Sequence, residues 1–319
     1  MSFSTLGLAP PLLNAVTETG YTTPTAIQLT AIPPALRGAD VLGQAHTGSG
    51  KTAAFALPLL HGLLAGRPAA GQRKLYALVL APTRELAAQV GETLRSLASH
   101  LPQPVKVSVA FGGVSINPQM MALRGGTDIM VATPGRLLDL VQHNAIKLDG
   151  TSVLVLDEAD KLLDMGFADE LGRILALLPA QRQNLFFSAT FPPAVQALAG
   201  GLLRDPVRVA TLDQAEQTPD IAQRAVEVDA ARRTQLLRAL LKDEGWRQVL
   251  VFVATKYASE HVADKLRRNG VAAEAFHGDF SQGARTAVLA DFRAGRLQVL
   301  VATDVAARGI DIAQLPVVV

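Results

Sequence analysis

The chain has 319 residues, of which 49% are hydrophobic and 18% are charged, and these proportions exclude a mainly disordered protein. A formal net charge of +2 permits a polyanionic partner but does not argue for one. The absence of cysteine excludes disulfides and thiolate metal sites. No apolar run approaches the roughly 18 residues that a membrane-spanning helix needs, and no leader-like segment opens the chain, so we expect a cytoplasmic protein.

Six short apolar runs in the first 190 residues have the length of strands. Helix-like stretches separate them, and one helix is predicted from Thr25 to about Leu36. Apolar strands that alternate with helices are typical of a parallel sheet covered on both faces, so the predicted fold class is α/β. The predicted strands cover residues 40–44, 75–80, 105–111, 127–132, 153–156 and 184–187.

A glycine-rich stretch follows the first predicted strand at residues 45–52, Ala-His-Thr-Gly-Ser-Gly-Lys-Thr, and a predicted helix follows it. Glycines let backbone N–H groups turn towards phosphate oxygens at a helix N-terminus, Lys51 adds a positive charge, and Thr52 offers a hydroxyl to Mg²⁺. The stretch therefore predicts a nucleotide-binding P-loop, although the usual first glycine is Ala45. The alternative is a loop that only caps a helix.

An acidic pair, Asp157-Glu158, follows the fifth predicted strand. Beside bound phosphates, Asp157 would hold Mg²⁺ through water, and Glu158 would orient and deprotonate the attacking water. The alternative is an acidic N-cap of the next helix. Because ligand sites in open parallel sheets lie beyond the carboxyl ends of the strands, we expect the pair and the P-loop at one edge.

A polar, unpatterned stretch at residues 212–220 predicts a linker, and a second α/β unit follows it. Helices are predicted at residues 256–268 and 282–294. The predicted strands of this unit cover residues 249–253, 272–276, 298–301 and 316–319. The predicted domains are residues 1–211 and 221–319.

Several short motifs occur together and in one order, and in this the chain resembles the DEAD-box ATP-dependent RNA helicases of superfamily 2. In that family Ala at position 45 is normal. The resemblance implies two tandem RecA-like domains that ATP and RNA bring together during RNA unwinding. The motifs are the P-loop, Pro-Thr-Arg-Glu-Leu-Ala at 82–87, Gly-Gly at 112–113, Thr-Pro-Gly-Arg at 133–136, Asp-Glu-Ala-Asp at 157–160 and Ser-Ala-Thr at 188–190.

The resemblance also implies roles for residues that pattern alone leaves open. Gln28 would recognise the adenine edge of ATP, and the upstream aromatic would stack on the adenine ring, with Phe3 and Tyr21 as the aromatic residues of this motif. Without the resemblance, Gln28 would be a surface helix residue and Phe3 a core residue. The remaining ATP-binding residues implied are Ala45, Thr47, Gly48, Ser49, Gly50, Lys51, Thr52, Gly309 and Asp311.

RNA is the implied partner, contacted through its backbone and therefore without sequence preference. A loop glycine or a solvated arginine is the alternative for any single residue of this set. The implied RNA-facing residues are Pro82, Thr83, Arg84, Gly112, Gly113, Thr133, Pro134, Arg136, Thr255, Gly278, Arg285 and Thr303. The residues implied to couple ATP to RNA or to join the two halves are Asp160, Ser188, Thr190 and Arg308.

The chain departs from the family after residue 311. The family continues with a His-Arg-x-Gly-Arg-x-x-Arg motif whose arginines reach the γ-phosphate, and residues 1–319 contain no such segment. We therefore expect a truncated chain with an incomplete second domain. The alternative function is a catalytically impaired fragment that binds ATP and RNA. The stretches at 183–190 and 281–286 look most like the bacterial RhlE branch.

Overall fold

The computed structural model describes residues 2–46, 48–66, 73–210, 221–307, 312 and 315–319. The chain divides into two compact units, Met1–Gln217 (unit 1) and Thr218–Val319 (unit 2). The predicted linker at 212–220 lies outside the described residues. Within the described residues, no helix has both the length and the apolar character needed to cross a bilayer.

Unit 1 opens with a 3-10 helix, Phe3–Thr5, and then alternates helices with short strands. Its helices are α1 (Pro10–Glu18), α2 (Ala26–Leu36), α3 (Lys51–Gly66), α4 (Arg84–Ala98), α5 (Asn117–Ala122), α6 (Pro134–Gln142), α7 (Ala159–Asp164), α8 (Ala168–Leu177) and α9 (Pro193–Leu202). Its strands are β1 (Val41–Gln44), β2 (Ala77–Leu80), β3 (Val107–Ala110), β4 (Ile129–Ala132), β5 (Val153–Leu156), β6 (Gln183–Ser188) and β7 (Val207–Ala210).

The described strands of unit 1 form one parallel sheet in the order β3-β4-β2-β5-β6-β1-β7. Alternate side chains of each central strand enter different cores: Val153 and Val155 pack on one face, while Leu154 and Leu156 pack on the other. Both faces are buried, which explains why these strands are apolar throughout. The turns that follow β1 to β6 all lie at the carboxyl edge of this sheet, where ligands bind in such folds.

The local sequence of α4 determines where this helix begins and which of its faces is buried. Thr83 caps its first turn, and the Thr83 hydroxyl accepts a hydrogen bond from the Leu86 N–H at 3.2 Å. Apolar residues four apart, Leu86, Val90 and Leu94, are buried against the sheet. The cap therefore lies directly after β2 and fixes Arg84 at the carboxyl edge.

A buried carboxylate sets the position of β1 against its neighbours. Asp40 is 6% exposed and accepts hydrogen bonds from the backbone N–H groups of Asn184 at 2.7 Å and Arg204 at 2.8 Å. The Asn184 amide also donates to Asp40 at 3.2 Å. Because a one-residue slip would break these contacts, Asp40 fixes the register that pairs Gln44 with Ser188.

Unit 2 has a 3-10 helix, Ala230–Arg232, and a smaller parallel sheet. The described strands lie in the order β11-β8-β10-β9. Its helices are α10 (Arg233–Asp243), α11 (Lys256–Arg267), α12 (Gln282–Arg293) and α13 (Asp304–Ala307). Its strands are β8 (Val249–Val253), β9 (Ala273–Phe276), β10 (Val299–Thr303) and β11 (Val317–Val318).

The ten predicted strands all occur, and their bounds differ from the predicted ones by at most two residues. Helix α2 begins one residue after Thr25, which is its N-cap. The sequence analysis missed β7, which pairs with β1 at the edge of the sheet. Only Val209 of its four residues is buried, so this edge strand lacks the continuous apolar run of the others.

Two helical glycines provide a matched test of how closely α4 packs on β3. A Cβ at Gly91 would lie 2.2 Å from Val109 Cγ2, whereas a Cβ at Gly172 in α8 would meet nothing within 4 Å. We expect Gly172→Ala to stabilise unit 1 by about 0.5–1 kcal/mol through helix propensity. Gly91→Ala should instead destabilise it by about 1–3 kcal/mol through overpacking.

Urea unfolding followed by far-UV circular dichroism measures both effects. Fluorescence of Trp246, the single tryptophan, reports unit 2 in the same samples. Adding Val109→Ala to Gly91→Ala should recover part of the lost stability, since it removes the methyl group that the new Cβ would strike. Equal behaviour of the two glycine variants would contradict the close contact.

Candidate functional site

The P-loop, residues 45–52, joins β1 to α3 at the carboxyl edge of the first sheet. The N–H of buried Ala45 donates to the Ser188 carbonyl at 3.1 Å, which extends the β1–β6 pairing into the loop. Gly48 and Gly50 have φ angles of 81° and 92°, which a residue with a side chain rarely adopts. Thr47 lies outside the described residues.

Lys51 is the first residue of α3, and its ammonium group is buried without a hydrogen bond to any described residue. Its side chain is 6% exposed, and Nζ has no hydrogen-bond partner among the described residues. Leaving a buried ammonium without such a partner is unfavourable unless an anion binds beside it. Thr52 follows as a half-buried residue in the first turn of α3. This geometry suits phosphate oxygens at a helix N-terminus.

Gln28 connects α2 to the P-loop. Its side-chain oxygen accepts a hydrogen bond from the Thr25 N–H at 3.0 Å, and its amide nitrogen donates to the Gly50 carbonyl at 3.1 Å. A Cβ at Gly50 would lie 2.5 Å from that amide nitrogen, so only glycine fits there. Gln28 therefore holds the P-loop turn, and the amide keeps a second N–H and a second lone pair for other bonds.

The two aromatic residues expected near adenine pack on each other in unit 1. Phe3 is 4% exposed and belongs to the core, and its ring contacts Tyr21 in an edge-on arrangement with centroids 6.3 Å apart. Tyr21 is the outer, half-buried member of the pair. The contact gives Phe3 a core position, and an adenine contact by either ring stays a prediction.

Asp157 follows β5 directly and is a deeply buried carboxylate. It is 2% exposed, and its Oδ1 atom has no hydrogen-bond partner among the described residues. Burial raises the pKa of Asp157 to about 6, although the positive charge of Lys51 acts in the opposite direction. A divalent cation beside Asp157 would favour the ionised carboxylate.

The oxygen atoms available here fit Mg²⁺. Asp157 Oδ1 and the Thr52 hydroxyl are hard oxygen donors, and Mg²⁺ keeps several water and phosphate ligands besides one or two protein oxygens. Among the described residues there is no cluster of three or more His, Cys, Asp or Glu side chains that could enclose a metal by itself. The donor set thus suits a cation that arrives with phosphate.

Glu158 has a left-handed backbone, with φ 52° and ψ 55°, and caps α7. A non-glycine residue in this conformation is uncommon and carries strain of about 1 kcal/mol or more. Its carboxylate is 4% exposed and pairs with Lys161 Nζ at 2.8 Å. The sequence analysis did not consider Lys161, although the Glu-x-x-Lys spacing across a helix start indicates such a pair.

A hydrogen-bonded cluster joins the turns after β5 and β6. Asp160 Oδ2 accepts from both the N–H and the hydroxyl of Thr190, at 2.9 and 2.8 Å. The Ser188 hydroxyl donates to the Thr190 carbonyl at 2.7 Å and accepts from the Asp160 N–H at 3.2 Å. Burial acts to raise the pKa of Asp160, but the hydrogen bonds from Thr190 outweigh it and the net shift is downwards.

Two arginines support the Gly112-Gly113 loop. A Cβ at Gly113, where φ is 76°, would lie 2.1 Å from Arg84 Nη2, so the loop rests directly on that guanidinium. Arg136 is 8% exposed and donates from Nη2 to the Val114 carbonyl at 2.8 Å. This bond fixes the path of the loop, and an RNA contact by Arg136 stays a prediction. Pro82, Thr133 and Pro134 are buried in the neighbouring turns.

The expected RNA-facing residues of unit 2 also lie at the carboxyl edge of its sheet. Thr255 is exposed and caps α11, accepting from the Ala258 N–H at 3.1 Å, while Thr303 ends β10. Gly278 is exposed after β9. Arg285, by contrast, is 7% exposed. It lies 4.8 Å from the centroid of the Phe276 ring and donates to the Ala306 carbonyl at 3.2 Å. Arg308, Gly309 and Asp311 lie outside the described residues.

Comparison with known families identifies the family to which this chain belongs. Residues 25–198 match the family model described as DEAD/DEAH box helicase, and residues 232–319 match the helicase conserved C-terminal domain. This chain is a DEAD/DEAH box helicase family member. The first match contains the P-loop, Asp157, Glu158 and the Asp160 cluster.

Individual members of this helicase family are similar in sequence to this chain over its whole length. The ATP-dependent RNA helicase DeaD of Klebsiella pneumoniae is 42% identical over 318 residues, which are 100% of this chain and 48% of that protein. The ATP-dependent RNA helicase DbpA of Escherichia coli is 44% identical over 319 residues, 100% of this chain and 68% of that protein. The chain thus spans about half the length of its DeaD relatives.

Solved structures confirm the predicted fold class of two RecA-like α/β units. A DEAD box protein from the hyperthermophile Methanococcus jannaschii is 36% identical, with a TM-score of 0.61 over 100% of this chain and 84% of that one. Dbp5 of Saccharomyces cerevisiae bound to RNA and ADP BeF3 is 31% identical, with a TM-score of 0.79 over 99% of this chain and 79% of that one.

The raised pKa of Asp157 predicts a pH-dependent gain of stability for Asp157→Asn in the nucleotide-free protein. Because the pKa is higher in the folded protein than the ordinary value of 3.8, ionisation of Asp157 costs stability as the pH rises through about 6. The cost is on the order of 3 kcal/mol at pH 7.5. Asparagine cannot ionise, so this variant should unfold at a higher temperature than the parent at pH 7.5, and the difference should vanish below about pH 4.

Thermal unfolding at a series of pH values measures this difference. Asp169→Asn, at an exposed position in α8, is the matched control and should show no such trend. A pH-independent difference, or one that grows towards acid, would contradict the buried, destabilised carboxylate.

Proposed function

We propose that this chain is an ATP-dependent RNA helicase in which RNA stimulates ATP hydrolysis at the P-loop of unit 1. The observation that carries the proposal is the pair of buried, opposite charges at the P-loop. Lys51 Nζ and Asp157 Oδ1 both lack hydrogen-bond partners among the described residues, at the place where a phosphate and its cation would satisfy both. Family membership supports the same conclusion.

The proposed ATP site uses residues from several turns. The backbone of the P-loop and Lys51 bind the phosphates, and Gln28 holds the loop turn and contacts adenine. Thr52 and Asp157 hold Mg²⁺, which neutralises phosphate charge when it is bound. Dbp5, one of the structural relatives, was solved with RNA and ADP BeF3, which supports ATP as the nucleotide.

The proposed hydrolytic step depends on Glu158. Its carboxylate accepts the proton of the attacking water, and Lys51 stabilises the negative charge that develops on the γ-phosphoryl group. Lys161 holds the Glu158 carboxylate at 2.8 Å, so it is a positioning residue for the base. Glu158 would carry out this role from a strained, left-handed backbone conformation at the N-cap of α7.

The proposed RNA surface of unit 1 surrounds the Gly112-Gly113 loop. Gly113 is exposed there, and its backbone, with Arg84 and the helix N-termini after Thr83 and Thr133, suits phosphate and sugar contacts that carry no sequence information. Arg136 acts by holding this loop. Asp160, Ser188 and Thr190 couple the nucleotide-binding turns to one another through their hydrogen bonds. Assignment to the RhlE branch and a cytoplasmic location stay predictions.

Substitutions of Lys51 and Glu158 test the proposed chemistry separately. Lys51→Ala should weaken ATP binding by more than about tenfold, since it removes the charge that faces the phosphates. Glu158→Gln should keep binding and lower turnover by roughly 10²–10⁴-fold, since the amide cannot accept the proton. Nucleotide binding is measured with a fluorescent ATP analogue, and turnover by phosphate release with and without RNA.

Lys242→Ala and Glu92→Gln are matched controls at exposed positions far along the chain from the P-loop. Both should keep parental binding and turnover. Parental turnover in Lys51→Ala and Glu158→Gln would refute the site assignment. Strand displacement with RNA and DNA duplexes then tests the substrate, and a strong preference for DNA would overturn the RNA assignment.

A second test concerns the arginine motif that residues 1–319 do not contain. We expect RNA-stimulated turnover by residues 1–319 to rise by about 10³-fold or more when a family-like C-terminal extension carrying that motif is appended, because its arginines stabilise transition-state charge. Phosphate release by the two chains measures the difference. The matched control is the same extension with its motif arginines replaced by alanine, and equal rates for all three chains would refute this expectation.

A further inference from the structure

A groove of about 880 Å³ lies in unit 1 at the edge of the sheet opposite to the P-loop. Leu75 precedes β2 and Thr127 precedes β4, so the groove is at the amino-terminal edge of these strands. Its other walls come from the end of α5 and from the loop after α6. None of the residues expected to bind ATP or RNA lines it, so the groove belongs to a different surface.

The groove carries an excess of unpaired positive charge. Lys74, Arg124 and Lys147 line it, are exposed, and form no ion pair with any residue in the described part of the chain. Arg73 also lines it but pairs with Asp128 at 3.2 Å. Asp149 is the single carboxylate among the described lining residues. Like charges held together without partners favour an anionic ligand.

Apolar side chains lie between these cations. Leu123 and Ile146 are buried in the groove floor, and Met121 is 60% exposed at its rim beside Met120. Methionine is flexible and polarisable, and it adapts to apolar side chains of different shapes. No Phe, Tyr or Trp lines the described groove, so the usual stacking surface for nucleic-acid bases is missing. The chemistry therefore favours a peptide over RNA.

Backbone packing gives the groove a fixed shape. Gly125 and Gly126 have φ angles of 77° and 81°, and a Cβ at Gly126 would lie 2.1 Å from the Arg73 carbonyl oxygen. Asp128 accepts from the Lys106 N–H at 2.7 Å while it pairs with Arg73. The wall beside Arg124 is thus held by close backbone contact, and a peptide would meet a preformed surface.

We propose that this groove docks an acidic peptide segment of a partner protein, with at least one large apolar side chain that packs on the methionines. Carboxylates of the peptide pair with Lys74, Arg124 and Lys147. The proposal does not depend on the ATPase assignment, because the groove and the P-loop lie at opposite edges of the sheet.

Fluorescence anisotropy with the whole chain tests the proposal. The probe is a labelled twelve-residue peptide of alternating Glu and Leu, and the comparison probes are the Lys and Leu counterpart and a labelled twelve-nucleotide oligouridylate. The groove variant is Arg124→Glu with Lys147→Glu. The matched control is Arg37→Glu with Arg173→Glu, which makes the same charge change at exposed positions outside the groove. Met121→Ser tests the apolar contact against Leu177→Ser, another exposed large apolar residue.

The parent chain should bind the acidic peptide saturably, and the groove variant should bind it at least about tenfold more weakly, while the charge control stays within roughly twofold. Met121→Ser should weaken binding and Leu177→Ser should not. Unchanged thermal unfolding of each variant shows that the fold is intact. The proposal is wrong if the parent does not bind the peptide, or if both double variants weaken it equally. A groove variant that loses oligouridylate but keeps the peptide would assign the surface to RNA and overturn the proposal.

Discussion

The pairing of β1 with β6 is the constraint on which the functional edge of this protein depends. Asp40, buried at the start of β1, binds the backbone of β6 and of the segment before β7, and so fixes the register at one end. Four residues later Gln44 pairs with Ser188, and the Ala45 N–H continues the ladder into the P-loop. The P-loop and the Asp160 cluster are thereby neighbours through backbone hydrogen bonds.

Two kinds of polar group occur at this edge, and their hydrogen bonding separates them. Asp160, Ser188 and Thr190 satisfy one another, which makes their turns a rigid unit. Lys51 and Asp157 keep side-chain atoms that no described residue satisfies. Buried polar groups that bond to one another maintain the shape of the turns. Buried polar groups without partners lower the stability of the folded protein until a ligand bonds to them. The proposed ATP site thus consists of unsatisfied groups held in place by satisfied ones.

The fold and the gathering of the motif residues at one sheet edge were largely predictable because parallel strands buried on both faces have a simple signature. Continuous apolar runs such as 77–80 and 153–156, each followed by a polar turn, were enough to predict the sheet and the edge at which the candidate site lies. β7 was missed because an edge strand with one buried residue lacks that signature. Short polar motifs follow these strands. Because the carboxyl ends of parallel strands lie at the same edge of the sheet, the motifs also indicated which residues cluster there.

Side-chain direction was the part that the sequence could not predict. Arg136 and Arg285 belong to motifs expected to face RNA, yet each is buried and bonded to a backbone carbonyl. Gln28 likewise binds the P-loop backbone in a way that no spacing rule indicates. A motif specifies residue types near a site, whereas burial depends on packing between segments that are distant in sequence.

The left-handed backbone of Glu158 has a consequence for engineering this protein. Of the described non-glycine residues with positive φ, Glu158 is the one beside the proposed nucleotide site, and glycine is the residue that would adopt its conformation without strain. Stability engineering that replaces residues in strained backbone conformations with glycine would therefore choose position 158. It would relieve the backbone strain but remove the carboxylate that we propose accepts the proton of the attacking water.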